Sequence, residues 1–118
     1  MSDLKIAVVI YEPIDSDSSR VYRGLKTALE FKQAGDDVTV VFDGSGVETL
    51  AAITAPIHKM NPLAVALKDN IRGACGFCVT SHGVSDAVAL GGWDLLTDYK
   101  GEVSVRNLVL EGYQILSF

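Results

Sequence analysis

The chain has 118 residues, 10 Lys plus Arg against 15 Asp plus Glu, a formal charge of −5 at pH 7 and two cysteines. That length fits one domain spanning residues 1–118, with a core that buries roughly two thirds of the unfolded surface. The acidic balance repels phosphate backbones and anionic lipid, so neither nucleic acid nor a membrane surface is an expected partner.

The opening MSDLKIAVVIYEP has an apolar run too short for a signal peptide, and no segment approaches the roughly 20 apolar residues that span a bilayer. The expected location is therefore cytoplasmic, where thiols stay reduced. A hydrophobic fraction of 48% and a mean hydropathy of +0.26 are high for so small a domain, which points to subunit interfaces in a homo-oligomer.

Residues 4–10, LKIAVVI, form a near-continuous β-branched run, the pattern of a parallel strand covered on both faces. From Ser18 to Ala34, Val21, Leu25, Ala28 and Leu29 share one stripe while Arg20, Arg23, Lys26, Glu30 and Gln33 fall elsewhere, predicting a helix ended by Gly35. DVTVVFD, residues 37–43, is a second buried strand and completes a βαβ unit with a right-handed crossover. Val47, Leu50, Ala51 and Thr54 suggest a short helix after DGSG, stopped by Pro56. Asn61 is expected to cap the next helix, with Pro62 at its first position and an end near Lys68. The strand IRGAC, residues 71–75, follows. Ser85 is expected to cap DAVAL, which Gly91 and Gly92 end, and WDLLTDY holds a very short strand. Ser104 caps a helix through Val105, Leu108 and Val109 that Gly112 closes, and YQILSF is the last strand.

Strands alternating with helices predict an open α/β sheet of four or five mainly parallel strands in three layers, with helices on both faces. Loops leaving the C-terminal strand ends share one edge in such folds. YEPIDSDSS, DGSG and the segment from CGFC onward should converge there, where a site is expected.

GACGFCVTSHG, residues 73–83, contains both cysteines and one of the two histidines. In a continuous strand, Cys75 and Cys78 would sit roughly 10 Å apart, beyond the ~7 Å Cα limit for a disulfide, and on opposite faces. If the strand instead ends at Cys75 and Gly76 lets the chain turn, FCVTSH can begin a helical turn with Gly83 as its cap. Exposed backbone N–H groups at that helix start would favour a Cys75 thiolate, and a protonated His82, one turn after Cys78, would add to the effect. Ordinary core packing of small apolar thiols is the competing reading. Glu12, Asp15, Asp17 and Asp43 in the neighbouring loops also oppose a thiolate, with Arg20 as a partial offset.

Cys75, Cys78 and His82 lack a fourth zinc ligand, since His58 is the only other imidazole, so no metal is expected, a site shared between subunits being the alternative. The first loop has no glycine, DGSG matches neither nucleotide pattern, and the acidic EPIDSDSS disfavours a flavin phosphate; no cofactor is expected. His58 reads as a surface or interface residue and Trp93 as packing.

Three stretches, RVYRGLKTALEFKQAGDDVTVVFDGSGVETL, GACGFCVTSHGV and SVRNLVLEGYQILSF, together resemble the DsrE/DsrF-like family of small sulfur-relay proteins over nearly the whole chain. The resemblance implies a flavodoxin-like α/β domain, cytoplasmic and assembled as a trimer, a hexamer or a mixed complex. It further implies sulfane sulfur carried as a persulfide on a cysteine at the end of the third strand, eight residues before a glycine. Cys75 and Gly83 occupy those positions. The family often has arginine where this chain has His82, and Cys78 lies outside the family's minimal requirement.

Three functions follow as alternatives: a sulfur carrier using Cys75, tuned by His82 and resolved by Cys78; a dithiol redox module using Cys75 and Cys78; and a non-catalytic oligomeric binding or assembly protein with inert cysteines. The sulfur donor and acceptor would be other proteins.

Overall fold

A computed structural model describes residues 4–118. Its elements in chain order are β1 (Lys5–Ile10), α1 (Ser18–Gln33), β2 (Asp37–Phe42), α2 (Gly46–Ile53), α3 (Asn61–Ala66), a 3₁₀ turn (Lys68–Asn70), β3 (Ile71–Cys75), α4 (Gly76–Ser81), α5 (Ser85–Leu90), β4 (Leu95–Leu96), α6 (Val105–Leu110) and β5 (Gln114–Ser117). The five strands form one sheet in the order β4-β3-β2-β1-β5, and every pairing is parallel. The expected three-layer, flavodoxin-like α/β architecture is what the chain adopts.

Strands β1 to β4 step across the sheet in one direction and β5 returns to the far side of β1. Right-handed crossovers therefore put α1 to α5 on one face and α6 on the other. Side chains follow this division. Gly24 of α1 is so close to Ile10 of β1 that an added Cβ would lie 2.7 Å from its Cδ1. On the α6 side, Arg72 donates to Thr39 Oγ1 at 3.3 Å and grips both carboxylate oxygens of Glu111 at 3.0 and 2.9 Å. Lys5 and Arg72 also lie over the Tyr113 ring, at 4.6 and 5.6 Å. This polar network sits near the strand starts and leaves the opposite edge of the sheet for chemistry.

The continuous apolar runs of β1 and β2 are buried on both faces, as their composition requires. Val8, Val9, Ile10, Val40, Val41 and Phe42 are all completely buried. Helix α1 starts where Asp17 accepts the Arg20 N–H at 3.1 Å, and it ends before Gly35, whose φ of +89° suits glycine.

Two caps differ from expectation. Asn61 is the first residue of α3 rather than its cap, and its side-chain amide donates to the carbonyls of Ile53 and Thr54 at 2.9 and 3.3 Å. It closes the end of α2 instead, because the intervening turn folds back within reach. Ser85 is likewise the first residue of α5, where Val84 occupies the cap position and no side chain bonds. Ser104 does cap α6, accepting the Asn107 N–H at 3.0 Å. Helix α3 ends at Ala66, short of Lys68, and the chain tightens into the 3₁₀ turn before β3. Among the described residues, no helix is long and apolar enough to cross a membrane.

Candidate functional site

Strand β3 reaches the site through a bulge. Ile71 faces Val40, yet Gly73 faces Val41, so Arg72 is the extra residue. Gly73 has φ +149°, and a Cβ there would lie 2.2 Å from the Asp94 carbonyl oxygen. Only glycine lets β3 pass the chain leading into β4 at this distance. The strand then stops at Cys75, whose φ of −55° and ψ of 120° turn the backbone into α4. The expected bend after Cys75 is therefore present. His82 occupies the cap of α4, and Gly83 follows with φ +68°.

The bend brings the two sulfurs together. Cys75 Sγ, Cys78 Sγ and a carboxylate oxygen of Asp43 all lie within 4.8 Å of one another. Asp43 is the first residue past β2, the neighbour of β3, so parallel pairing delivers its side chain to the strand end that carries Cys75. The Cys78 thiol donates to Asp43 Oδ1 at 3.7 Å, and the same oxygen accepts the Gly44 N–H at 2.7 Å. Tyr11, leaving β1, completes the convergence of three loops: burial first, then the charge and hydrogen bond of Asp43, push its phenol upward.

The surroundings of Cys78 disfavour its thiolate. Burial, then the hydrogen bond with Cys75, push the Cys78 thiol up to about 12, with the Asp43 charge adding and the Gly44 N–H opposing. Cys78 is partly buried, whereas Cys75 is only 1% exposed. Alkylation of Cys78, read by peptide mass mapping, should accelerate about tenfold per pH unit from pH 7 to 10. A plateau near pH 9 would show an unperturbed thiol.

The other site candidates lie elsewhere. The His82 ring pairs with Glu48 of α2, Nδ1 to Oε2 at 2.5 Å, while its backbone N–H bonds the Cys78 carbonyl at 2.8 Å. Glu12 pairs with Arg20 at 3.7 Å and Asp17 caps α1, so of the four loop carboxylates weighed from sequence only Asp43 joins the thiols. The N–H groups at the start of α4 are not all open, since Phe77 donates to the Gly101 carbonyl at 3.0 Å. That carbonyl is delivered by a tight turn in which Tyr99 and Glu102 pair and Lys100 and Gly101 take positive φ. Trp93 packs against the core and donates to Thr54 Oγ1 at 2.8 Å, and His58 Nδ1 accepts the Met60 N–H at 3.0 Å, so both serve structure.

The family model of DsrE/DsrF-like proteins matches residues 4–118. The chain belongs to the DsrE/DsrF-like family. Among solved structures, a conserved protein of unknown function from Bacteroides thetaiotaomicron is similar, with a TM-score of 0.67 and 19% sequence identity over 95% of this chain and 94% of that one. The likeness is one of fold. No curated protein matches. Cys75 lies at the end of β3, and Asp43 is the residue that sequence reasoning placed in the vicinity without placing it at the sulfurs.

Proposed function

We propose that this protein is a sulfur carrier that holds sulfane sulfur as a persulfide on Cys75 and passes it to a partner thiol. The supporting observation is the clustering of Cys75, Cys78 and Asp43 within 4.8 Å at a strand end, in a chain of the DsrE/DsrF-like family. Burial and the neighbouring Cys75 push the Cys78 thiol up, and Cys75 is the cysteine at the strand end, the position that the family resemblance gives to the sulfur carrier. In the loading step the Cys75 thiolate attacks the outer sulfur of a donor persulfide; the Cys75–sulfur bond forms, the donor sulfur–sulfur bond breaks, and the donor leaves as a thiolate. Delivery repeats the exchange with the acceptor thiolate as nucleophile, so no external oxidant or reductant is needed. Because Cys75 is 1% exposed, loading waits on local opening of the site.

Cytoplasmic residence fits this reading, since both thiols must stay reduced. Assembly into a trimer or hexamer fits the exposed apolar side chains Ile57, Val65 and Leu90, the last two lining a cavity of about 510 Å³ between α2, α3 and α5.

Incubation of the native, chelator-treated protein with a polysulfide should add one sulfur mass to wild type and none to Cys75→Ala. Equal gain in both proteins, or gain in neither, would remove Cys75 from the role. The closeness of the two sulfurs favours a second reading, a dithiol that cycles as a disulfide. Under that reading Cys78→Ser abolishes turnover, whereas a persulfide carrier keeps loading in that variant.

A further inference from the structure

We propose that Asp43, Cys75 and Cys78 form a binding site for a thiophilic divalent cation of the zinc type. A tetrahedral ion with bonds of about 2.3 Å to sulfur and about 2.1 Å to oxygen sets its sulfurs about 3.8 Å apart and each sulfur about 3.6 Å from the oxygen. Cys78 Sγ already stands 3.7 Å from Asp43 Oδ1. The remaining separations are within 4.8 Å, so closure on an ion needs movements of about 1 Å at most. Sequence spacing alone suggested His82 as the third ligand and found the set incomplete. The fold turns His82 to Glu48 and puts a carboxylate in its stead.

The donor set decides the class of ion. Two sulfurs and one oxygen suit zinc-like ions, while magnesium and calcium take oxygen shells that this cluster does not supply. On binding, both thiols release their protons to solvent, and the two thiolates with the carboxylate carry three negative charges, leaving the ion-loaded site at −1. Among the described residues, none of the ion pairs reaches Asp43: Arg20 goes to Glu12, Arg72 to Glu111 and His82 to Glu48. The ligands also come from well-held places, the ends of β2 and β3 and the first turn of α4, and the Gly44 N–H steadies the carboxylate at 2.7 Å. Three protein ligands leave the fourth position to water or to an incoming thiol, the pattern of an open site.

This inference stands apart from the sulfur-carrier reading, because an ion and a sulfane sulfur compete for the same Cys75 electron pair. The ion-loaded protein should take up no sulfur until a chelator is added.

The test is titration of the chelator-stripped full-length protein with Zn²⁺ against a chromophoric chelator, and with Co²⁺ as a spectroscopic probe. One equivalent should bind, with a thiolate-to-cobalt charge-transfer band and the visible bands of a tetrahedral ion. Cys75→Ala and Cys78→Ser should each weaken binding by more than about 100-fold, beyond the loss caused by removing an outer-shell partner, and Asp43→Asn by about tenfold or more. His82→Ala and Mg²⁺ are controls: the first should bind as wild type and the second should not bind. Circular dichroism checks each variant, and if Cys75→Ala does not fold, Cys78→Ser and Asp43→Asn carry the test. Absence of stoichiometric binding, an octahedral cobalt spectrum without the charge-transfer band, unchanged affinity in Asp43→Asn, or weakened binding in folded His82→Ala would overturn the proposal. Sulfur loading is measured separately on ion-free protein, so one reading can fail while the other survives.

Discussion

Gly73→Ala should destabilise the protein by at least about 3 kcal/mol, measured from urea denaturation. Two costs combine at this position. The φ of +149° is a conformation that an L side chain rarely adopts. The new Cβ would also stand 2.2 Å from the Asp94 carbonyl oxygen and 3.0 Å from its carbon, which are backbone atoms that cannot rotate aside. That same oxygen accepts the Ala74 N–H at 3.0 Å, so relief of the clash would break the contact that holds the entry to β4 against β3. Since Cys75 lies two residues on, the variant should also label faster at Cys75 in native buffer. A loss below about 1 kcal/mol would mean that the bulge is not the constraint described.

Phe42→Ala should cost about 3–5 kcal/mol. Phe42 is the last residue of β2 and fully buried, and the residue after it is Asp43. Truncation leaves a cavity at the end of β2, in the core that the sheet shares with its helices. Leu90→Ala provides the contrast. That leucine is 86% exposed, and its loss should change monomer stability by no more than about 0.5 kcal/mol. Equal losses in the two variants would contradict the assigned core.

Much of this was legible in the sequence because the signals are local. The β-branched runs at residues 5–10 and 37–42 are covered on both faces, and a strand of that composition has few other uses. Gly76 after Cys75 leaves a strand end as one of two readings, and a serine before an apolar run marks the helix start at Ser104 but falls one residue inside the helix at Ser85. The errors arise where a side chain acts across the fold. Asn61 has the chemistry of a cap but serves the preceding helix, and His82 has the chemistry of a thiol neighbour but meets Glu48 once α2 packs beside α4. Asp43 was one of four acidic loop residues with nothing in spacing to rank them. Only the adjacency of β2 and β3 singles it out. The bulge at Arg72 is equally hidden, because it is a property of two strands and not of one.

Strand β4 has two residues, Leu95 and Leu96, and it forms the outer border of the sheet beside the thiols. So brief a border offers too few free amide groups to template the addition of a neighbouring chain's strand. A partner protein is thereby denied backbone zippering on this flank. Under the proposed function, the partner's thiol would instead approach over the rim where β2 and β3 terminate.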